Sequence, residues 1–209
     1  MAKLFHIKAS PRGSRSASQA VASRFIESYR ATHANDIVDT LDLWRTDLPE
    51  INGAMLDAAY AVKHGHPHSP EQFHIWQAIV RIADHFKSAD KYVLSLRMWN
   101  FSIPYKLKHY IDLLVHRGLT FSFTPEEGYR GLVTGKPLVA VCARGGAYGP
   151  GSGAEASDQQ GRYLEHIFGF IGFTEIREIL VEPTEAMPTS KEASVAAASR
   201  QAAEMARNF

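Results

Sequence analysis

Length and composition place the chain among globular proteins of about one domain. It has 209 residues, of which 45% are hydrophobic and 22% charged, and this excludes disordered and collagen-like classes. Its 23 basic and 22 acidic residues nearly cancel, so no overall charge attracts nucleic acid or an anionic membrane. Because there is one cysteine and no apolar run long enough for a membrane span or signal peptide, we expect a soluble, cytoplasmic single domain over residues 1–209.

Hydrophobic periodicity predicts five strands that alternate with helices. The strands are predicted at residues 3–9, 35–44, 91–98, 138–143 and 175–181, and the helices at 16–29, 49–62, 70–86, 104–118, 161–171 and 189–208. Ser69, Pro70 and Gln72 form the clearest helix start, because serine caps the helix, proline suits the first turn and glutamine completes a capping box. The alternation predicts an α/β fold with a five-stranded parallel sheet and helices on both faces.

Three unusual loops follow the first, third and fourth predicted strands. They read SPRGSRSAS at residues 10–18, MWNFSI at residues 98–103 and ARGGAYGPGSG at residues 143–153. In a parallel sheet of this kind, ligands bind beyond the carboxyl ends of the strands, where the strand order reverses. We therefore expect a ligand site to be built from these three loops.

The first loop has the composition of a phosphate site. It contains four serines and leads into a helix start, where free N–H groups and the helix dipole attract an anion and hydroxyls add donors. No GxxxxGK[ST] motif occurs, which argues against a nucleoside triphosphate. The alternative is a solvated loop with an ordinary serine cap.

The second loop fits the ring of a planar cofactor. Trp99 or Phe101 would supply an apolar face, and Asn100 with backbone groups would supply in-plane hydrogen bonds. The alternative is that the aromatic side chains simply pack on the edge of the sheet.

The third loop would present main-chain donors. Arg144, Gly145 and Gly146 follow the most apolar strand, and a glycine-rich segment there leaves backbone N–H groups exposed to converge on an anionic atom. We expect Arg144 to have the best case among the arginines for ligand contact. The alternative is a mobile surface loop.

Other motifs are weaker candidates. Residues 151–156 (GSGAEA) fit the GxGxxA dinucleotide pattern but do not directly follow a strand. The alternating histidines His64, His66 and His68 lack nearby carboxylates, which is more typical of a solvated linker than of a metal site. Cys142 lies in an apolar strand and is expected to be an inert core thiol.

Several segments, taken in order, resemble the FMN-dependent NADH-azoreductases, a flavodoxin-like family that includes NAD(P)H:quinone oxidoreductases. These segments are SPRGSRSAS, MWNFSIPYKLKHYIDLLVHRGLTFSF, GLVTGKPLVAVCARGG and HIFGFIGF, and the similarity spans nearly the whole chain. The resemblance implies a flavodoxin-like fold, bound FMN and a homodimer. It also implies two-electron transfer from NADH or NADPH to quinones or azo compounds.

The resemblance further implies which residues contact FMN. The phosphate would meet Ser10, Ser16, Ala17 and Ser18, the isoalloxazine ring would meet Met98, Trp99, Asn100 and Phe101, and its pyrimidine edge would meet Ala143, Arg144, Gly145 and Gly146. Family members often carry Tyr at position 99, which keeps a flat apolar wall. They often carry Ser at position 143, so the alanine here removes a hydroxyl but leaves backbone contacts. No metal and no catalytic side chain are implied.

Two hypotheses about mechanism and assembly follow. No separate nicotinamide fingerprint is present, so donor and acceptor are expected to share one space and react by a ping-pong mechanism. Phe121, Phe123 and Tyr129 would roof the cofactor of a partner subunit, or alternatively fill their own core. The competing class is a flavodoxin-like electron carrier, although such carriers are usually shorter and strongly acidic, whereas this chain has a net charge of +1.

Overall fold

The structure, a computed structural model, describes all 209 residues. The strands are β1 (Lys3–Lys8), β2 (Ile37–Asp42), β3 (Lys91–Arg97), β4 (Phe121–Thr124), β5 (Gly128–Gly131), β6 (Pro137–Ala143) and β7 (Glu175–Val181). The α-helices are α1 (Ala17–Thr32), α2 (Gly53–Lys63), α3 (Pro70–Lys87), α4 (Tyr105–Leu114), α5 (Gln159–Ile171) and α6 (Pro188–Arg207).

Five strands form one parallel sheet, in the order β2-β1-β3-β6-β7. Helices α1 and α6 cover one face around Phe25, Tyr29 and Ala202, which are fully buried. Helices α2 to α5 cover the other face around Phe86 and Leu107. The predicted parallel sheet with helices on both faces is thus confirmed. None of the helices is both long and apolar enough to span a membrane.

The helix starts follow the capping residues in the sequence. Ser69 accepts a hydrogen bond from the Gln72 N–H (3.1 Å) while the Gln72 side chain accepts from the Ser69 N–H (2.9 Å), which confirms the capping box. The predicted helix at 49–62 instead begins at Gly53, because the Asn52 side chain accepts from the Met55 N–H (3.1 Å) and fixes the first turn there.

Helix α4 is shorter than predicted. It ends at Leu114 rather than near Gly118, because the Leu114 carbonyl accepts from the Thr120 hydroxyl (2.8 Å) and the His116 N–H (3.0 Å). A side chain and a tight turn thereby take the acceptor that a continuing helix would have used.

The hairpin of β4 and β5 is absent from the sequence-based prediction. Its strands are short and antiparallel, and it packs on the C-terminal end of α5. A Cβ built on Gly131 would overlap the backbone of Ile171 and Gly172, so glycine is what allows the two segments to meet. The Val133 N–H donates to the Ile171 carbonyl (2.8 Å) and continues this contact beyond the hairpin.

Candidate functional site

The three candidate loops meet where the strand order reverses. From β1 the chain builds β2 on one side and β3, β6 and β7 on the other, so the reversal lies between β1 and β3. The Ala9 N–H, just after β1, donates to the Ser95 carbonyl of β3 (2.8 Å). The Met98 N–H, just after β3, donates to the Ala143 carbonyl at the end of β6 (2.8 Å). The structure therefore brings the predicted loops together at one edge of the sheet, the position at which such folds bind ligands.

The loop after β1 forms a cradle of hydrogen-bond donors at the start of α1. Ser10, Ser16 and Ser18 are all buried, at 2%, 4% and 0% exposure, so this is not a solvated serine cap. Ser16 caps the helix by accepting from the Gln19 N–H (3.3 Å), and its hydroxyl lies 3.2 Å from that of Ser18. The Ser10 hydroxyl has no hydrogen-bond partner. A buried donor without a partner is costly, and a bound anion would satisfy it.

Main-chain donors complete the cradle. The N–H groups of Ala17 and Ser18, in the first turn of α1, donate to no protein acceptor. Such groups and the helix dipole together bind phosphates readily. Gln19, which the sequence analysis does not identify, donates its side-chain amide to the Ser10 carbonyl (2.8 Å) and ties the loop to the helix.

A buried histidine lies in the strand that leads into this cradle. His6 of β1 contacts the Ser95 hydroxyl through Nε2 (3.0 Å). Burial, with a smaller contribution from Lys8, lowers the pKa of His6 to about 4, so its imidazole is neutral at pH 7.

The loop after β3 makes a tight turn with an uncommon backbone conformation. Trp99 and Ser102 exchange main-chain hydrogen bonds (3.0 and 2.9 Å), and the two residues between them are left-handed, with φ of 47° at Asn100 and 68° at Phe101. A bulky residue with positive φ costs about 1–3 kcal/mol and is found mostly at functional sites. The Gln159 N–H holds the turn by donating to the Phe101 carbonyl (3.1 Å). The N–H groups of Asn100 and Phe101 remain without protein acceptors.

An aromatic cluster and a cavity lie beside this turn. The Trp99 ring is 5.7 Å from that of Trp44 and 6.1 Å from that of Tyr105. The adjacent cavity has a volume of about 760 Å³, within the range of small-molecule sites, and Trp99, Asn100, Tyr105 and Tyr163 line part of it. Sequence reasoning missed Trp44 because it follows β2, a strand whose loop carries no recognisable motif.

The loop after β6 is held through its carbonyl groups. The Arg144 carbonyl accepts from the N–H (2.9 Å) and hydroxyl (2.8 Å) of Thr184, and the Gly145 carbonyl accepts from the Glu185 N–H (3.1 Å). The N–H groups of Gly145 and Gly146 have no protein acceptor. The two glycines thus present fixed, unused donors, the arrangement expected for an anionic edge of a ligand.

Arg144 corrects one expectation. Its N–H is not exposed, because it donates to the Val181 carbonyl (3.0 Å), and its side chain is fully buried rather than lying at the surface. The guanidinium is 2.9 Å from Asp158, 3.5 Å from Glu182 and 3.7 Å from Glu178, and its Nε donates to Gln160 (3.0 Å). The guanidinium is thus held in the core by ion pairs with three carboxylates, so its observed role is to anchor the loop, and any cofactor contact made by Arg144 stays a prediction.

One of the carboxyl groups around Arg144, that of Glu178, has a shifted pKa. Burial raises the pKa of Glu178, and the neighbouring guanidinium offsets this only in part. Asp158 caps α5, Glu178 lies in β7 and Glu182 directly follows β7, so no local pattern around ARGG could have revealed these three carboxylates.

The weaker motifs occupy other positions. Residues 151–156 form a turn and the start of a short 3-10 helix, and α5 begins only at Gln159 after the Asp158 cap. His64 and His66 pack against Tyr60, and no group of three or more His, Cys, Asp or Glu side chains is placed to hold a metal ion. Cys142 is fully buried, which raises the pKa of its thiol, as expected for an inert core residue.

The parallel sheet and the cradle at its switch point define a flavodoxin-like nucleotide-binding protein. In agreement, a family model described as having a flavodoxin-like fold matches residues 2–206. A protein of Nitratidesulfovibrio vulgaris named FMN-dependent NADH:quinone oxidoreductase is 50% identical, with 100% of both chains covered. A crystal structure of azoreductase from Bacillus anthracis superimposes with a TM-score of 0.90 at 31% identity over 100% of both chains.

A second solved structure is informative about ligands. It is an FMN-dependent NADH-azoreductase from Bacillus anthracis in complex with FMN, with a TM-score of 0.86 and 27% identity over 99% of this chain and 100% of that one. On the strength of the family match and the 50% identity, the chain belongs to this flavodoxin-like family of FMN-dependent NADH:quinone oxidoreductases and azoreductases.

Proposed function

We propose that the protein is an FMN-dependent oxidoreductase that transfers two electrons from NADH or NADPH to quinones and azo compounds. The observation that carries this proposal is the set of unused donors at the switch point, headed by the buried Ser10 hydroxyl without a partner. The names of the relatives, which cover the whole chain, support the same activity. A cytoplasmic location, where NADH is supplied, fits this role.

The residues present fit FMN. Ser10, Ser16, Ser18 and the Ala17 N–H would bind the phosphate. Met98, Trp99, Asn100 and Phe101 would hold the isoalloxazine ring, and Ala143, Arg144, Gly145 and Gly146 would lie along its pyrimidine edge. When bound, FMN would supply reversible two-electron chemistry that no side chain of this protein offers.

The chain's own groups would orient the cofactor and stabilise charge on it. The Gly145 and Gly146 N–H groups are already fixed by the hydrogen bonds of the neighbouring carbonyls. Because they need no reorganisation, they would stabilise negative charge at the edge they face. The turn at Trp99–Ser102 would set the plane of the ring, since it is closed by hydrogen bonds at both ends.

Donor and acceptor are proposed to occupy one space in turn. The cavity beside Trp99 opens next to Asn100, and no separate dinucleotide-binding motif follows a strand. We therefore expect a ping-pong mechanism, in which NAD⁺ leaves before the quinone or azo compound enters.

A homodimer is part of the proposal. Phe121, Phe123 and Tyr129 of the hairpin cluster with Phe170, and Tyr129 remains 67% exposed. An exposed aromatic group on a supported hairpin suits contact with a second subunit. Sedimentation showing a fully active monomer at low micromolar concentration would contradict this part.

Steady-state kinetics of the FMN-loaded protein test the function. NADH and NADPH would each be paired with quinones such as menadione and with azo dyes, and the double-reciprocal lines should be parallel. NADH alone should reduce the flavin under anaerobic conditions, and added quinone should reoxidise it. Intersecting lines would refute the ping-pong order. A protein that binds FMN but never oxidises NADH would instead be an electron carrier.

A further inference from the structure

A cavity that the proposed function does not use lies between the end of α2, the middle of α3 and the loop from α4 to β4. Its volume is about 480 Å³, and its lining residues are Lys63, His64, Trp76, Arg117, Gly118 and Leu119. None of these residues is acidic. Two permanently charged cations, Lys63 and Arg117, therefore share a concave site that holds no carboxylate, and the site has no residue in common with the three loops at the sheet edge.

The Lys63 ammonium has a defined place in this cavity. It lies over the ring of Trp76, 5.5 Å from the ring centroid, and it forms no ion pair. Trp76 is itself buried, and the His116 ring packs against it edge to face with centroids 5.5 Å apart. The ring attracts the ammonium but carries no negative charge, so the charge of Lys63 stays unneutralised.

The surroundings show the effect of this positive charge. Burial lowers the pKa of Lys63, and no carboxylate opposes the shift. Burial and, second, the charge of Lys63 lower the pKa of the neighbouring His116 to about 4. The His116 Nε2 is buried without a hydrogen-bond partner. A partly buried cation without a counterion opposes folding, and a bound anion would offset that cost.

Arg117 is held from the side of the hairpin. One of its guanidinium nitrogens donates to the Phe123 carbonyl (2.7 Å), and the guanidinium carbon is 5.7 Å from the centroid of the Phe123 ring. Its other side-chain N–H groups make no hydrogen bond to protein, and it forms no ion pair. A guanidinium has five N–H donors, so most of them remain free for a ligand.

We propose that this cavity is an anion site that binds a phosphate group, with Lys63 and Arg117 as the residues that contact it. Two fixed cations match a phosphate that carries close to two negative charges, and the arginine can offer it parallel N–H donors. The phosphate is either inorganic phosphate or the phosphate of a small monoester. The site does not depend on the proposed function.

Calorimetric titration of the FMN-loaded protein in low-salt buffer tests the site, because FMN then fills the cradle at α1. The probes are inorganic phosphate and phenyl phosphate. Lys63→Met and Arg117→Met should each weaken binding about tenfold or more, and Lys63→Arg should retain it. Phenyl phosphate that binds tenfold more tightly identifies a monoester site, and equal affinities identify a site for free phosphate. The control is Arg200→Met, which removes a cation from a different cavity and should bind as the wild type does.

Thermal unfolding separates a binding role from a structural one. Phosphate should raise the Tm of the wild type and leave that of Lys63→Met unchanged. Without phosphate, Lys63→Met should unfold at the wild-type temperature or above it, because it removes an unpaired charge. Wild-type protein that binds neither probe overturns the proposal. So do affinities that stay at the wild-type value in Lys63→Met and Arg117→Met, or that fall as far in Arg200→Met.

Discussion

The loops after β1 and β6 both present unused donors to the same site, but they are built in different ways. The first is local: Ser16 caps α1, Ser18 lies in the first turn of the same helix, and the Gln19 side chain bonds back to Ser10. The second depends on distant segments, because its carbonyls are held by the residues after β7 and its arginine by carboxylates at the cap of α5, in β7 and just after β7. A site can therefore combine a cradle that a short sequence specifies with one that only the completed fold can form.

The largest expected effect is a loss of stability when the anchor of the loop after β6 is removed. Arg144→Met leaves Asp158, Glu178 and Glu182 close together without their buried cation. Removing one partner of a buried ion pair costs about 3–5 kcal/mol, so the free energy of unfolding should fall by that amount in urea denaturation. Arg162→Met, at an exposed position of α5, is the control. A loss below about 1 kcal/mol would mean that the buried ion pairs do not support the loop.

A second effect concerns pH and the strand beneath the first loop. The pKa of His6 falls from 6.5 to about 4 on folding, so its contribution to stability is fully present above pH 6.5 and is lost as the pH falls to 4. Over this range the His6 shift lowers the free energy of unfolding by about 3 kcal/mol. His6→Gln, which keeps a group able to bond Ser95, should flatten the pH dependence of unfolding in this window. Burial also lowers the pKa of His116 to about 4, so this residue should leave a smaller pH dependence of unfolding in the variant. Equal slopes in variant and wild type would rule out the assignment.

The smallest effect on the fold, but a clear one on binding, is expected in the first loop. Ser16→Ala combined with Ser18→Ala should weaken FMN binding more than tenfold, because each hydrogen bond to a phosphate is worth about 1.5–3 kcal/mol. The lost cap should cost about 1 kcal/mol of stability. Ser14→Ala, at an exposed position in the same loop, should leave flavin affinity unchanged. Unchanged affinity in the double variant, measured by flavin fluorescence, would remove the phosphate assignment.

The difference between local and long-range contacts also explains which parts of the structure could be predicted from the sequence. The capping box at Ser69, the buried strand at residues 138–143 and the serine-rich helix start all depend on neighbouring residues, and each was found from local patterns. The β4–β5 hairpin was missed because its four-residue strands are held by the close approach of Gly131 to Gly172. The burial of Arg144 was missed for the same reason, since its partners are separated from it along the chain.

The Gly131 contact also links two distant parts of the molecule through α5. With no side chain between them, the backbone of the hairpin lies directly against the C-terminal end of α5. The other end of α5 bonds the Phe101 carbonyl through Gln159, and its 13 residues span about 20 Å. Helix α5 therefore contacts the aromatic hairpin at one end and the turn at Trp99–Ser102 at the other. In the proposed homodimer, the subunit contact would therefore lie at one end of α5 and the proposed ring-binding turn at the other.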